Sequence, residues 1–197
     1  FDGGYFHNGK IVKAKGFCTD VFFDQANHFI RKNVKAKKPF FAYVCTNAPH
    51  GPFHCPQKYL DMYKGQSDRI ASFFGMITNI DDNVGKTRAL LKELGAHENT
   101  IFIFTTDNGT ASGRAIFNAG MRGQKGSEYD GGHRVPFFLH WPAGGMNKKH
   151  VVETLCHAVD VAPTLLELTG SEKPKGYKFD GMSIASLLKP GSKTPWA

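Results

Sequence analysis

The chain has 197 residues, and its 41% hydrophobic and 13% aromatic content indicates one globular domain with a real core. It has no run of about 20 apolar residues, so no membrane span is predicted, and no signal peptide is recognisable at its start. The net charge of +8 favours an anionic partner. Nucleic acid is not the predicted partner, because the basic segment RKNVKAKKP (31–39) belongs to no recognisable nucleic-acid-binding module. The four cysteines show no CxxC pair and no zinc-like spacing.

The first third of the chain predicts a helix, a strand and an irregular loop. After a loop-like opening, FDGGYFHNGK, helical periodicity indicates a helix over 19–33 that is capped near Thr19. One face of this helix is predicted to carry Val21, Phe22, Ala26, Phe29 and Ile30. The apolar run PFFAYVCT (39–46) is typical of a buried strand. It ends in NAPHGPFHCP, whose three prolines and one glycine predict an irregular loop.

A long helix and a second strand follow. Apolar residues keep a helical period from Ser67 to Leu94, and Gly95 stands where a C-terminal cap belongs. The next apolar run, from Ile101 to Thr106, reads as a strand. Strand, helix and strand in this order predict a right-handed crossover and a parallel sheet. The fold class is therefore predicted to be α/β, a mainly parallel sheet flanked by helices.

The last third predicts another buried strand and a short helix. The strand is VPFFLHW (135–141). The helix is DVAPTLLELTG (160–170), with Asp160 as cap, Pro163 in its first turn and Gly170 past its end. The chain closes on KPGSKTPWA (189–197), where nothing signals a finished element. A single domain over 1–197, without a separate second domain, is the expectation.

Two predicted strands end in polar loops, which is where ligands bind in open α/β sheets. One loop carries His50, and the other carries Asp107 and Asn108 directly after the strand. A carboxylate beside a carboxamide offers hard oxygen ligands suited to Ca²⁺ or Mg²⁺. Gly109 would let the chain turn away so that both side chains face one point. Asp-Asn-Gly is also a common turn tripeptide, and this tripeptide alone favours a turn over a metal site.

The segment RGQKGSEYDGGHRVP (122–136) changes that balance. Four glycines, two arginines and a lysine stand immediately before a predicted strand. Such a loop can set Lys125 against a tetrahedral anion. Its alternative reading is a flexible surface loop with solvated charges.

Taken in order, the motifs resemble the sulfatase family, relatives of alkaline phosphatase, over most of the chain. The resemblance rests on the segments APHGPFHCP, MITNIDDNVGKTRALLKELG, NTIFIFTTDNG, RGQKGSEYDGGHRVPFFLHWP, DVAPTLLELTG and DGMSIASLL. It implies an alkaline-phosphatase-like fold and places these residues in the middle-to-late part of a catalytic domain. One departure is Asp130, where the family more often has Glu, and this change is expected to alter loop bracing rather than chemistry.

The resemblance also implies roles for four residues. Asp107 and Asn108 would be ligands of a metal, usually Ca²⁺, with Mg²⁺ as the alternative. Lys125 would bind the sulfate, and His50 would contact it and protonate the leaving oxygen. By contrast, Asp81 and Asp82 are expected to be solvated charges in mid-helix rather than a metal pair, since adjacent helical residues point about 100° apart.

Sulfatases use a formylglycine made from Cys or Ser in a C/S-x-P-x-R motif, and no cysteine or serine of this chain fits that motif. The nucleophile is therefore expected upstream of Phe1, together with further metal and sulfate ligands. The full-length protein is expected to be a sulfatase-type hydrolase of aryl or carbohydrate sulfates, while these 197 residues alone are expected to be inactive.

Two alternatives stay open at this stage. One is a phosphate or phosphonate ester hydrolase of the same superfamily, and the other is a non-catalytic module that binds anions or sulfated glycans. In every case the expected partner is a sulfated or similarly anionic small molecule or glycan, and the sequence indicates no particular oligomeric state. Family likeness favours a periplasmic, secreted or lysosomal location.

Overall fold

A computed structural model describes residues 1–189, which form two compact units. The first unit contains residues 1–98 and 103–138, and the second contains residues 99–102 and those from 139 onward. Apart from Lys189, the predicted irregular end at 189–197 lies outside the described residues.

The first unit opens with a β-hairpin rather than the predicted loop. Strands β1 (Gly4–His7) and β2 (Lys10–Lys13) pair antiparallel, with Tyr5 opposite Val12. Both turn residues, Asn8 (φ 49°) and Gly9 (φ 79°), adopt the left-handed conformation that a two-residue hairpin turn requires. The Asn-Gly pair in the sequence was the signal for this hairpin.

Helix α1 (Cys18–Lys35) begins one residue before the predicted start, so Thr19 lies inside the first turn rather than at the cap. Its buried residues are Thr19, Phe23 and Ile30, whereas Phe29 is 43% exposed. The predicted apolar face was therefore wrong in part. Apolar periodicity does not register buried polar residues such as Thr19, which is fully buried here.

Helix α3 (Asp68–Glu93) is the longest element, and the prediction of a helix over 67–94 is confirmed. Gly95 adopts a left-handed conformation (φ 67°) and donates its N–H to the Lys92 carbonyl at 3.0 Å. The N–H of Ala96 reaches back to the Leu91 carbonyl at 2.9 Å. These two bonds form a Schellman motif, which is why glycine stands at this position.

Buried polar side chains join α1 to α3. Asp20 Oδ1 accepts hydrogen bonds from the side-chain amides of Asn79 and Asn83, each at 2.7 Å, and both asparagines are fully buried. Further along, Thr87 donates to Asn27 Oδ1 at 2.9 Å. Because a buried amide without a partner is costly, these bonds fix the register of α1 against α3.

A small apolar cluster secures the loop that follows residue 46. Its buried members are Phe17, Ala48, Cys55, Tyr59 and Met76, and Tyr59 belongs to the short helix α2 (Gln57–Leu60). Burial raises the pKa of the Cys55 thiol, which keeps it protonated and inert.

The hydroxyl of Tyr59 donates to Asp82 Oδ2 at 2.8 Å. Asp82 is exposed on α3, as expected of a helix-face charge, and it also braces α2 through this bond.

The strand predicted over 39–46 is wrong for the described residues. This segment forms no strand, and Phe41 and Tyr43 are exposed. A strand needs a neighbour that completes its hydrogen-bond ladder, and no strand among residues 1–189 pairs with this segment. The predicted parallel pair with the next strand is accordingly not formed here.

The other two predicted strands are present. β3 (Phe102–Thr105) and β4 (Phe137–His140) pair in a two-stranded sheet, with the rings of Phe104 and Phe138 6.4 Å apart. Neither strand is fully buried, and Phe138 is 65% exposed, so the predicted burial of β4 is wrong.

In the second unit, a 3₁₀ turn (Ala158–Asp160) leads into α5 (Val161–Thr169), which ends at left-handed Gly170 as predicted. Asp160 is not the side-chain cap of α5. Its carboxylate accepts the N–H of His157 at 2.8 Å and that of Met182 at 2.9 Å, because the preceding turn already places Asp160 in a helical conformation.

Short helical elements complete the architecture. They are α4 (Asp130–His133) and the 3₁₀ turns Asp61–Tyr63, Pro142–Gly144 and Ala185–Leu188. Over residues 1–189, no helix combines the length and apolarity that crossing a membrane requires.

Replacing Asp20 by alanine is predicted to lower the free energy of unfolding by about 2 kcal/mol, since two buried amides lose their acceptor. Urea denaturation followed by far-ultraviolet circular dichroism measures the change. Asp24→Ala, at an exposed position of the same helix, is the control and should change the free energy by less than about 0.5 kcal/mol. Equal effects of the two substitutions would contradict the structural role of Asp20.

Candidate active site

Asp107 and Asn108 follow β3 after one intervening residue, Thr106. The side-chain amide of Asn108 donates to Asp107 Oδ2 in a close contact, so the two side chains converge on one point. Asp107 is exposed and Asn108 half-buried. Because a half-turn of the amide exchanges its nitrogen and oxygen, this pair can present a carboxylate and a carboxamide oxygen together to a cation.

The donor chemistry of this pair fits a hard divalent cation. Ca²⁺ takes roughly six to eight oxygen ligands, and two residues supply only part of that number. Within residues 1–189, no group of three or more His, Cys, Asp and Glu side chains lies close enough to hold a metal ion. A complete site would therefore need ligands beyond Asp107 and Asn108.

The strand end docks onto the glycine-rich loop by backbone contact. The N–H of Gly109 donates to the Gly132 carbonyl at 2.9 Å. A Cβ on Gly109 would lie 1.9 Å from the Gly131 carbonyl oxygen, far inside the contact distance. Gly109 does not adopt a positive φ, so a left-handed backbone is not the reason for glycine at this position. Glycine is required here because two backbones approach closely.

A second backbone bond places Lys125 beside the same strand end. The N–H of Lys125 donates to the Thr110 carbonyl at 3.1 Å, while its side chain is exposed. The two bonds, from Gly109 to Gly132 and from Lys125 to Thr110, bring a lysine and an oxygen-bearing pair together. The structure thus unites three of the four predicted site residues on adjoining loops.

The loop that carries Lys125 is stiffened by its own contacts. The Arg122 guanidinium stacks 3.6 Å from the Tyr129 ring centroid and donates to its hydroxyl at 2.7 Å. Ser127 bonds to both the N–H and the carbonyl of Gln124. A Cβ on Gly132 would lie 2.0 Å from the Ser127 carbonyl oxygen. The loop is thus folded tightly on itself, which argues against a flexible surface loop.

Charges next to Lys125 are used for bracing. Arg134 and Asp130 form an ion pair at 3.6 Å across α4, which agrees with the bracing role expected for Asp130. Among residues 1–189, no acidic side chain forms an ion pair with Lys125. Its ammonium group is therefore available to an external anion.

His50 enters on the loop after the buried Ala48. The ring atom Nδ1 of His50 lies 2.9 Å from the Gly51 carbonyl oxygen. The backbone N–H of His50 donates to the Asn47 carbonyl. Because a carbonyl can only accept, Nδ1 carries the proton, and Nε2 is left to face a ligand. In the described part of the chain, no hydrogen bond or ion pair joins His50 to the other three predicted residues.

Tyr43 lies in the exposed segment before His50. The pKa of Tyr43 is raised, first by a hydrogen bond with Cys45 and, to a smaller extent, by the negative charge of the nearby Asp107.

A family model described as Sulfatase matches residues 2–171, and the chain therefore belongs to the sulfatase family. It is 30% identical over 187 residues to "Uncharacterized sulfatase YdeN" of Escherichia coli, a match that covers 93% of this chain and 33% of the relative. It is 32% identical over 198 residues to the N-acetylgalactosamine-6-sulfatase of Canis lupus familiaris, covering 98% of this chain and 37% of the relative.

Among solved structures, the chain is similar to Ps i-CgsB, crystallised in complex with k-i-k-neocarrahexaose. The TM-score is 0.80 at 33% identity, covering 90% of this chain and 39% of that one. The predicted α/β class and the alkaline-phosphatase-like fold are thereby confirmed. The chain spans about a third of the length of the two curated relatives.

We predict that Gly109→Ala will lower the free energy of unfolding by about 2 kcal/mol or more, because the added Cβ forces two backbones apart. It should also speed tryptic cleavage after Arg122 and Lys125, because the docking holds the backbone of this loop in a fixed conformation. Gly85→Ala is the matched control, since nothing lies within 4 Å of a Cβ at that helical position. The control should raise stability by roughly 0.5–1 kcal/mol, and a Gly109→Ala variant as stable as this control would refute the docking contact.

Proposed function

We propose that the protein is a sulfuric ester hydrolase. The observation that carries this proposal is the pair of backbone bonds that docks the Asp107 strand end onto the Lys125 loop, at 2.9 and 3.1 Å. The docking supports a site that offers oxygen ligands and a free ammonium group on the same side. Membership of the sulfatase family supports the same conclusion.

The charges suit the breaking of a sulfate ester. As the S–O bond breaks, its electron pair moves to the leaving oxygen, and the sulfuryl oxygens carry negative charge. Lys125 would neutralise part of that charge through its ammonium hydrogens. His50, in its imidazolium form, would donate the Nε2 proton to the leaving oxygen, while the bond from Nδ1 to the Gly51 carbonyl orients the ring.

Two further groups complete the proposal. Asp107 and Asn108 would hold a Ca²⁺ ion, with Mg²⁺ as the alternative, and this ion would supply Lewis-acid stabilisation of the sulfuryl oxygens. A formylglycine outside these 197 residues would supply the nucleophile. On this view the 197 residues alone turn over no substrate.

We further propose that the substrate is a carbohydrate sulfate. One relative is named for N-acetylgalactosamine 6-sulfate, and one structural neighbour was solved with k-i-k-neocarrahexaose. The net charge of +8 supports an anionic substrate. Family likeness favours a periplasmic, secreted or lysosomal location, which we propose on that basis.

In the complete gene product, Lys125→Ala is predicted to lower kcat/KM for 4-nitrophenyl sulfate about 100- to 1,000-fold, because a cation at the developing charge is lost. His50→Ala should lower it by a similar factor and most strongly with poor leaving groups, which need the proton. Release of 4-nitrophenol measures both effects. Lys86→Ala and His28→Ala, at exposed helix positions, are the controls and should leave the rate unchanged.

The same assay with 4-nitrophenyl phosphate and phosphonate esters decides between branches of the superfamily. Faster turnover of the phosphorus esters than of 4-nitrophenyl sulfate would contradict the proposal that the protein is a sulfuric ester hydrolase. Binding of sulfated glycan without turnover of any ester by the complete gene product would support the non-catalytic module instead.

Metal dependence offers a separate prediction. Chelation should abolish turnover, and added Ca²⁺ should restore it better than Mg²⁺, since the flexible oxygen set suits the larger ion. By calorimetry, Asp107→Ala should weaken Ca²⁺ binding at least tenfold. Asp81→Ala, at an exposed position of α3, should bind Ca²⁺ as the unaltered protein does. Unchanged affinity in Asp107→Ala would remove this residue from the metal site.

A further inference from the structure

A cavity of about 490 Å³ opens beside the docked loops, and its size lies within the roughly 300–1,000 Å³ typical of small-molecule sites. Its lining residues are Ala111, Arg114, Ala115, Asn118, Met121 and Gln124. Two alanines make room in it, and three polar side chains can make directed contacts. The cavity lies within the first compact unit.

The cavity adjoins the proposed sulfate site, because two of its lining residues are chain neighbours of Thr110 and Lys125. Ala111 follows Thr110, whose carbonyl accepts the N–H of Lys125 at 3.1 Å. Gln124 immediately precedes Lys125. A ligand whose sulfate lies against Lys125 would therefore extend its remaining part along this wall.

The wall of the cavity is held in shape before any ligand arrives. The side-chain amide of Asn118 donates to the carbonyls of Met121 at 2.7 Å and Gly123 at 3.1 Å, so both its hydrogens serve the wall and its oxygen stays an acceptor. Gly113 is buried with φ 79°, and a Cβ there would lie 2.8 Å from the Phe73 ring. This packing ties the segment to α3.

Arg114 is the cationic residue of the lining. Its side chain is exposed, and none of the ion pairs among residues 1–189 involves it. By contrast, the neighbouring cations Arg122 and Arg134 are both engaged, one with Tyr129 and one with Asp130. The guanidinium of Arg114 is planar, always carries its positive charge and has no ion-pair partner among residues 1–189. It can therefore donate two parallel hydrogen bonds to a carboxylate or sulfate group of a ligand.

We propose that this cavity is a subsite for the sugar next to the scissile sulfate, and that Arg114 binds a second anionic group on it. The inference rests on the proposed function and narrows the substrate class to glycans with two neighbouring negative charges. Asn118 Oδ1 and the Gln124 amide would bind sugar hydroxyls. Arg114 contributes to specificity and takes no part in the bond breaking.

The test uses the complete gene product and three synthetic disaccharides that share one cleavable sulfate ester. The neighbouring sugar is neutral in the first, a uronic acid in the second and sulfated in the third. Arg114→Gln should lower kcat/KM about tenfold or more for whichever charged disaccharide the subsite prefers, chiefly through KM, and leave the neutral one unchanged. Arg114→Lys should recover only part of the loss, because it lacks the fork of donors.

Arg88→Gln is the matched control. It removes the same charge from an exposed position of α3, about 22 Å along the helix axis from Phe73 at roughly 1.5 Å per residue. If this control and Arg114→Gln lose activity equally, the effect is general electrostatics and the subsite is refuted. Equal loss on neutral and charged disaccharides would refute it as well.

Binding separates this inference from the proposed function. Calorimetric titration with the three disaccharides measures affinity whether or not an ester is cleaved. If no ester is hydrolysed but Arg114→Gln still weakens binding of a charged disaccharide selectively, the hydrolase proposal fails and the subsite stands. If esters are hydrolysed but Arg114→Gln binds and turns over all three normally, the subsite fails and the hydrolase stands.

Discussion

The site depends on one close backbone approach. Gly109 lies so near the loop that any Cβ would meet the Gly131 carbonyl oxygen at 1.9 Å, and its N–H bonds to Gly132. This contact turns two loops that are distant in sequence into one surface, on which Asp107, Asn108 and Lys125 are neighbours. A side chain on Gly109 would separate the loops, whereas side chains on Gly131 and Gly132 would collide with carbonyl groups of their own loop.

Support for the His50 loop comes from a different source. Ala48 is buried with Phe17 and Met76, so an apolar cluster holds the base of that loop. Polar contacts between α1 and α3 keep the cluster's helices in register through Asp20. Docked backbones therefore position Lys125, whereas side-chain packing positions His50.

Sequence patterns predicted correctly those elements whose stability depends on residues close together in the chain. Helical periodicity and a glycine cap gave α3 its bounds, and both ends agree within a residue. The run at 39–46 has the composition of a strand, yet no strand among residues 1–189 pairs with it, and hydrogen-bond partners cannot be read from the run itself. The Asn8–Gly9 turn was readable and was missed, because the opening was judged by its glycines rather than by the pair.

The site residues show the same division between local and distant information. His50, Asp107, Asn108 and Lys125 were named from motifs and family likeness. The backbone contacts that bring the loops of the last three together are tertiary, and the close approach at Gly109 could not be read from the sequence. The sequence pattern did not indicate Arg114, because a single arginine between Gly113 and Ala115 belongs to no motif. Residues 107 to 125 form one continuous segment that carries the proposed metal ligands at one end, the cavity in its middle and the lysine at its other end. On the proposed function, a change in the middle would alter which glycan is accepted while the two backbone bonds at the strand end stay in place.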